Sequence, residues 1–213
     1  MATFDQQMHA AAASASATSG GGSHPFGGAR GLIWFATWVC AMAFDLVRIY
    51  RRREGATVRD RGSHRVFSVA LPVIFAVLLA VPKALPGADI RPDSLAFAAG
   101  EAVFLLGFAV RGWAILTLGT YFTATVMTSP DQPVITSAPY RVLRHPSYTG
   151  LLLYIIGIGL IWDNWISLAA ATVLMSIPLV YRIRVEEKAL LEDLGDPYRA
   201  FASRRKRLIP FVW

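Results

Sequence analysis

Five apolar blocks, each bounded by charges or turn residues, limit what this chain can fold into more than any other feature. They are Leu32–Tyr50, Val66–Leu85, Leu95–Leu118, Thr149–Trp162 and Trp165–Arg182. A helix that crosses a bilayer needs about 20 mostly apolar residues, because the hydrocarbon core offers backbone groups no partners outside the helix. Packed instead as a soluble bundle, five such blocks would leave little polar surface for water. The composition agrees, with 54% apolar and 16% charged side chains and a mean hydropathy of +0.45. The expected fold is an all-α integral membrane protein of about five transmembrane helices. Its fourth block is short. With "WDNW" (Trp162–Trp165) joining it to the fifth, the two read as a tight helical hairpin whose tryptophans suit the headgroup region.

Residues 1–29 are rich in Ala, Ser and Gly. They have too few large side chains to offset the entropy of ordering, and no basic stretch precedes an apolar core, so a disordered tail is expected rather than a signal peptide. Three units follow: the tail at 1–29, three transmembrane helices at 30–118, and a region at 119–213 that holds the cytoplasmic pieces.

The basic residues set an expected orientation. "RIYRRREGATVRDRGSHR" follows the first block and "RRKR" (Arg204–Arg207) lies near the C-terminus, whereas "KALPGADIRPDS" is nearly charge-balanced. By the positive-inside rule the first and third connections and the C-terminus are cytoplasmic and the N-terminus is outside, in what would be a bacterial inner membrane. The net charge of +7 is then mostly topological, with some attraction for membrane lipid. No recognition motif accompanies it, so nucleic acid is not an expected partner. The single cysteine, Cys40, lies within the first block, which excludes an intramolecular disulfide.

Three ionisable residues lie inside the blocks, where they are costly and usually face the bundle interior or a pathway. Asp45 and Arg48 are three apart, so a local pair is expected. Glu101 stands about two turns from the outer helix end, within reach of water. Arg111 either snorkels or pairs between helices, or it lines a substrate cavity.

Two cytoplasmic pieces remain. The connector, Gly119 to Ser147, has no helical periodicity, and "SPDQ" within it has turn chemistry. A connection this long is usually functional when its apolar content argues against disorder. The tail begins where Pro178 is expected to kink the fifth span. After it "RIRVEEKALLEDLG" reads as an amphipathic helix with Leu190, Leu191 and Leu194 on one side and Gly195 as its C-cap. Arg182 and Glu186 are four apart and share a face, with Glu187 one position round.

The stretch "PYRVLRHPSYTG" packs two arginines, a histidine and two tyrosines into twelve positions, far more than a helix anchor needs. In order, "RGWAILTLGTYFTATV", "QPVITSAPYRVLRHPSYTG", "YRIRVEEKALLEDLGDPYRAF" and "RLIPF" resemble the isoprenylcysteine carboxyl methyltransferase family of integral-membrane enzymes. The resemblance covers roughly Arg111 to Phe211 and implies S-adenosyl-L-methionine bound in a cytoplasmic pocket made by the connector and tail. Carried over position by position, it implies cofactor contacts at Gln132, Pro133, Val134, Ile135, Tyr140, His145, Pro146, Ser147, Tyr148 and Glu186. It also implies a role for Arg182 in meeting and orienting the acceptor, with Arg111 as a further acceptor-side position. Gln132–Ile135 departs from the family's usual polar or histidine residue followed by Leu-Val, which points to main-chain contacts there. Ala138 also stands where glycine is commoner.

The implied chemistry is an in-line methyl transfer that needs no metal, so catalysis is mainly positioning and desolvation. The acceptor class is a membrane-embedded lipophile: a prenylcysteine carboxylate, a lipid phenol, a small prenylated molecule or a phospholipid amine. A membrane reductase of the sterol-reductase type, using NADPH, is the rival reading. It would call for extra basic residues near the tail helix, where this chain has the carboxylates Glu186 and Glu187 instead.

Overall fold

The computed structural model describes residues 27–49, 56–128, 132–210 and 213. Nearly all of the expected disordered tail, the arginine run at 51–53 and most of the "SPDQ" turn lie outside these residues. In chain order come α1 (Gly28–Ile49), β1 (Thr57–Val58), α2 (Ser63–Ala84), α3 (Asp93–Leu118), β2 (Met127–Thr128), α4 (Pro146–Ile161), α5 (Trp165–Leu194) and α6 (Asp196–Ser203). The protein is a multi-pass integral membrane protein. Helices α1, α2, α3 and α5 are each long and apolar enough to cross a bilayer. The fourth expected span is the exception: α4 has 16 residues, about 24 Å at 1.5 Å per residue, short of a ~30 Å hydrocarbon core.

Helix α4 is built into the bundle by close backbone packing against α3. Gly100 and Gly107 on α3 meet Gly157 and Gly150 on α4 in antiparallel register. A Cβ added at Gly150 would lie 2.6 Å from the Gly107 carbonyl oxygen, and one at Gly157 would lie 2.6 Å from the Phe104 nitrogen. Lipid tails are as apolar as leucine, so helices associate in membranes through close backbone approach, which these paired glycines permit. Phe104 stacks on Tyr154 at 4.8 Å beside the seam.

Helix α5 differs from expectation. It runs unbroken for 30 residues through Pro178, so the fifth span and the expected tail helix are one element. Packing along α2 and α4 carries the helix past the hydrogen bond that proline removes. Gly195 does cap it, at φ +58°.

The two ends of the bundle are closed differently. At one end Asn164 is fully buried. It accepts the Ser167 N–H at 2.9 Å as the N-cap of α5 and donates to the Leu85 carbonyl at 2.9 Å, while the Ile90 N–H donates to the Asp163 carbonyl at 3.0 Å. At the other end β1 pairs antiparallel with β2, placing Thr57 opposite Thr128 and Val58 opposite Met127. The connector is therefore pinned to the first connection, and the two arginine-bearing connections lie together.

The membrane-buried charges correct two expectations. Asp45 does not pair with Arg48, whose guanidinium lies over the Phe44 ring at 5.6 Å. Its partner is Arg111, whose Nε donates to both carboxylate oxygens at 2.9 Å. Helical spacing suggested the local pair, but a buried arginine 66 positions away gains far more from the carboxylate than a side chain near water does. Glu101 does not reach water: it is 8% exposed, and neither carboxylate oxygen finds a partner among the described residues.

Candidate active site

The connector and tail are stitched together by backbone before any side chain acts. Leu143 forms a parallel bridge with Lys206. The Arg144 N–H donates to the Lys206 carbonyl at 2.8 Å, and the His145 N–H donates to the Arg207 carbonyl at 3.0 Å. Pro146 then starts α4 at a position where its missing N–H costs nothing.

Glu187 is the electrostatic hub of this junction. It is 7% exposed and accepts from Arg144 Nη1 at 2.7 Å and Arg207 Nε at 2.9 Å, with His145 Nε2 at 3.3 Å. A buried carboxylate is tolerated when it is paired and hydrogen-bonded to this degree. Glu186, its neighbour in sequence, faces a different environment. One oxygen accepts the Tyr148 hydroxyl at 2.6 Å, and the side chain keeps 29% of its surface open. So of the two adjacent glutamates one is structural cement and the other remains accessible.

Arg182 completes the constellation. It is buried, its Nε donates to the Tyr148 hydroxyl at 2.8 Å, its Nη2 donates to the Ala124 carbonyl, and its Nη1 lies 3.4 Å from Ser63 Oγ. Tyr148 thus receives a hydrogen bond from Arg182 and gives one to Glu186, and its ring stacks on His145 at 5.6 Å.

Two cavities meet at this relay. The first opens between connector and tail. Gln132, Pro133, Val134, Ile135, Tyr140, His145, Ser147, Tyr148 and Glu186 all line it, so nine of the ten expected cofactor positions come together. The tenth, Pro146, is buried as the first residue of α4 and does not line the cavity. Tyr140 turns its hydroxyl away, donating to the Ala114 carbonyl at 3.3 Å, so its ring forms the wall. Burial and the nearby Glu186 raise the Tyr140 phenol, and burial with Glu187 and Glu186 raises that of Tyr198, so both stay protonated. Leu190, Leu194 and Phe201 complete the apolar wall, whereas Leu191 of the expected apolar stripe is exposed.

The second cavity lies within the membrane-spanning bundle and has a volume of about 640 Å³. Trp38, Met42 and Leu46 of α1 face Phe67, Leu71 and Phe75 of α2 across it. Its polar end is built by Asp45, Arg111, Tyr148 and Arg182. Arg111 therefore pairs between helices and lines a cavity at once, and its Nη1 also donates to the Ser147 carbonyl at 3.2 Å. Phe122, Thr123, Tyr148 and Arg182 line both cavities, forming the wall between them.

Several site residues escaped the sequence reading: Asp60 and Ser63 from the first connection, Glu187 as hub, and Tyr198 and Phe201 on α6. The Gly-x-x-Tyr step at Gly195–Tyr198 was a legible signal for the last two. For Asp60 the sequence carries none.

The profile of the isoprenylcysteine carboxyl methyltransferase family matches residues 100–192, which run from the first half of α3 into the last turn of α5. Among curated proteins, the uncharacterised protein YpbQ of Bacillus subtilis is 28% identical over 141 residues, 66% of this chain and 82% of that protein. Protein-S-isoprenylcysteine O-methyltransferase B of Arabidopsis thaliana is 32% identical over 115 residues, 53% of this chain and 58% of that protein. Among solved structures, the eukaryotic intramembrane Ras methyltransferase ICMT superposes with a TM-score of 0.58 at 28% identity, over 68% of this chain and 52% of that one. This chain thus spans little more than half the length of those two methyltransferases. The matched region, residues 100–192, contains both carboxylates, Arg111, Arg182 and all four residues of the two-cavity wall, so the part of this chain that is similar to the isoprenylcysteine carboxyl methyltransferase family is the part that carries the site.

Proposed function

We propose that this protein transfers a methyl group from S-adenosyl-L-methionine, bound in the cavity between connector and tail, to the polar head of an amphiphile held in the membrane cavity. The shared wall of Phe122, Thr123, Tyr148 and Arg182 carries this reading, because it brings a water-facing site and a lipid-facing site to one point.

The first cavity suits the cofactor's chemistry. Two donors near its wall, the Tyr198 hydroxyl and Arg144 Nε, have no partner among the described residues, which suits the cofactor's carboxylate and hydroxyl oxygens. Glu186 offers an accessible carboxylate for a cationic ligand, and Val134, Ile135, Leu190 and Phe201 offer apolar cover for a base. When bound, the cofactor supplies an electrophilic methyl group on a sulfonium. His145 and Tyr148 orient the ligand, while the apolar wall excludes water and so strengthens charge interactions inside.

The second cavity suits an acceptor with an apolar tail, since its volume falls in the range of small-molecule sites and its long walls are apolar. Its polar end presents the guanidiniums of Arg111 and Arg182, whose forked donors suit an anionic head such as a prenylcysteine carboxylate. In the membrane the arginine-bearing connections and the C-terminus face the cytoplasm, and the N-terminus faces out.

Calorimetry in detergent tests the cofactor assignment: S-adenosylhomocysteine binds and NADPH does not. Incubation with labelled S-adenosylmethionine and N-acetyl-S-farnesylcysteine tests the acceptor, with a lipid phenol and phosphatidylethanolamine in parallel. Binding of NADPH alone would sink the reading. Methylation of only the phenol or the amine would move the acceptor class.

A further inference from the structure

The first connection enters the sequence reading only as a topology signal, yet it ends in a residue that reaches the centre of the molecule. Asp60 is 9% exposed. Its Oδ1 accepts from the Ser63 hydroxyl at 2.7 Å and from the Val126 N–H at 3.3 Å, and its Oδ2 accepts from the His64 N–H at 2.9 Å. Arg182 Nη1 lies 3.6 Å from Oδ1, and Asp60 is the one carboxylate within 4.0 Å of that guanidinium among the described residues. These bonds, together with the Arg182 guanidinium, hold its charged form and lower its pKa against the burial that would raise it.

Each nitrogen of Arg182 has a different protein acceptor or partner. Nε is set on Tyr148, Nη2 on the connector at Ala124, and Nη1 on Ser63 and Asp60 at the start of α2. A planar guanidinium anchored on all three sides cannot turn about its stem. Asp60 also grips the connector at Val126 and the first turn of α2, where His64 and Phe67 line the membrane cavity.

We propose that Asp60 is a positioning residue for the transfer reaction: it fixes the Arg182 guanidinium, and through it the Tyr148 hydroxyl, at the wall between the two cavities. This rests on the reading of that wall as the place where cofactor and acceptor meet. Asp193 provides the control. It ties the same segments together, accepting from Arg59 at 2.8 Å and from the Thr128 hydroxyl, but makes no bond to Arg182 or Tyr148.

The experiment compares the parent, Asp60→Asn and Asp193→Asn in detergent micelles. In protein labelled with nitrogen-15 arginine, the Arg182 Nε–H signal is identified by its loss in Arg182→Lys. Asp60→Asn is expected to shift that signal and speed its hydrogen exchange, while Asp193→Asn leaves it in place. With N-acetyl-S-farnesylcysteine as acceptor, Asp60→Asn should lower kcat about tenfold while S-adenosylhomocysteine affinity stays within about twofold. An unchanged Arg182 signal in Asp60→Asn, or the same change in both variants, overturns the proposal, as does a kcat loss matched by lost cofactor affinity. If the parent methylates nothing, the functional reading falls, and the Arg182 signal still decides the role of Asp60. Should Asp60→Asn fail to fold, Ser63→Ala removes only the bridging hydroxyl. It should move the same signal in the same direction by less, and no movement overturns the proposal.

Discussion

Helices α3 and α4 and helices α1 and α2 are two antiparallel pairs in one bundle, and they are built on opposite plans. The first pair closes on facing glycines until backbone meets backbone, leaving no space for a Cβ. The second pair presents Trp38, Met42 and Leu46 to Phe67, Leu71 and Phe75 across an open cavity. Helix α1 leans instead on α3, where Trp34 meets Phe104 edge-on at 5.1 Å and Phe44 meets Phe108 at 5.7 Å. In a membrane apolar side chains alone do not draw helices together, so bulky facing residues leave room and small facing residues remove it. The rigid pair carries Arg111 and the start of the "RHPSYTG" helix, while the open pair offers space to a lipid tail.

The largest effect that would break this contrast comes from the charge joining the two plans. Asp45 on α1 is held to α3 by Arg111, and Asp45→Leu would leave a buried guanidinium without its carboxylate, costing about 3–5 kcal/mol. Chemical denaturation in mixed micelles should show this loss, with much of it recovered in Asp45→Leu/Arg111→Met. If the single variant is as stable as the parent, the pair does not hold α1 in place.

A smaller effect tests the closed seam. Gly150→Ala puts a Cβ against the Gly107 carbonyl and the Arg111 backbone, and overpacking of that kind costs about 1–3 kcal/mol. The same change at Gly112, where the nearest side-chain atom is 3.8 Å away, should be neutral within about 0.5 kcal/mol. Equal melting temperatures for the two variants would remove the distinction between the seam and the open face.

Next come the two cavities. Glu186→Ala or His145→Ala should weaken S-adenosylhomocysteine binding by at least about tenfold, roughly 1.4 kcal/mol. Leu71→Trp in the membrane cavity should leave that affinity alone and raise KM for N-acetyl-S-farnesylcysteine. Cofactor binding that follows the Leu71 variant and ignores Glu186 would reverse the assignment of the cavities. The most discriminating change has the smallest structural footprint: Arg182→Lys keeps the charge but gives up the fork, so turnover should fall by more than cofactor affinity does. Near-parental turnover in that variant would reduce Arg182 to a buried anchor.

Much of the candidate site was legible because its residues cluster in sequence. His145, Ser147 and Tyr148 stand within four positions, Gln132–Ile135 are consecutive, and Glu186 lies one turn after Arg182, so local spacing alone puts each group on one surface. The family likeness then joined these groups across the forty residues that separate them. Misreadings arose where local and distant partners competed. Asp45 had a helical neighbour in Arg48 but took Arg111, and the Pro178 signal for a kink was overruled by packing along α5. Of the adjacent pair Glu186 and Glu187, sequence could not say which one is buried, because that depends on where Arg144 and Arg207 arrive.

Sequence by itself determined the class of this protein: the length and apolarity of the blocks demand a membrane, because transfer free energies sum along the chain. The glycine seam, Gly100 and Gly107 against Gly150 and Gly157, became visible only in the antiparallel packing of α3 on α4. What the tertiary structure alone decided is how cavities arise and which charges meet. Asp60 lies 122 positions from Arg182 and Asp45 lies 66 from Arg111, and no periodicity encodes such pairs. They form because leaving these buried charges unpaired would cost so much, and the partner each finds is on whichever element the packing of the helices sets alongside.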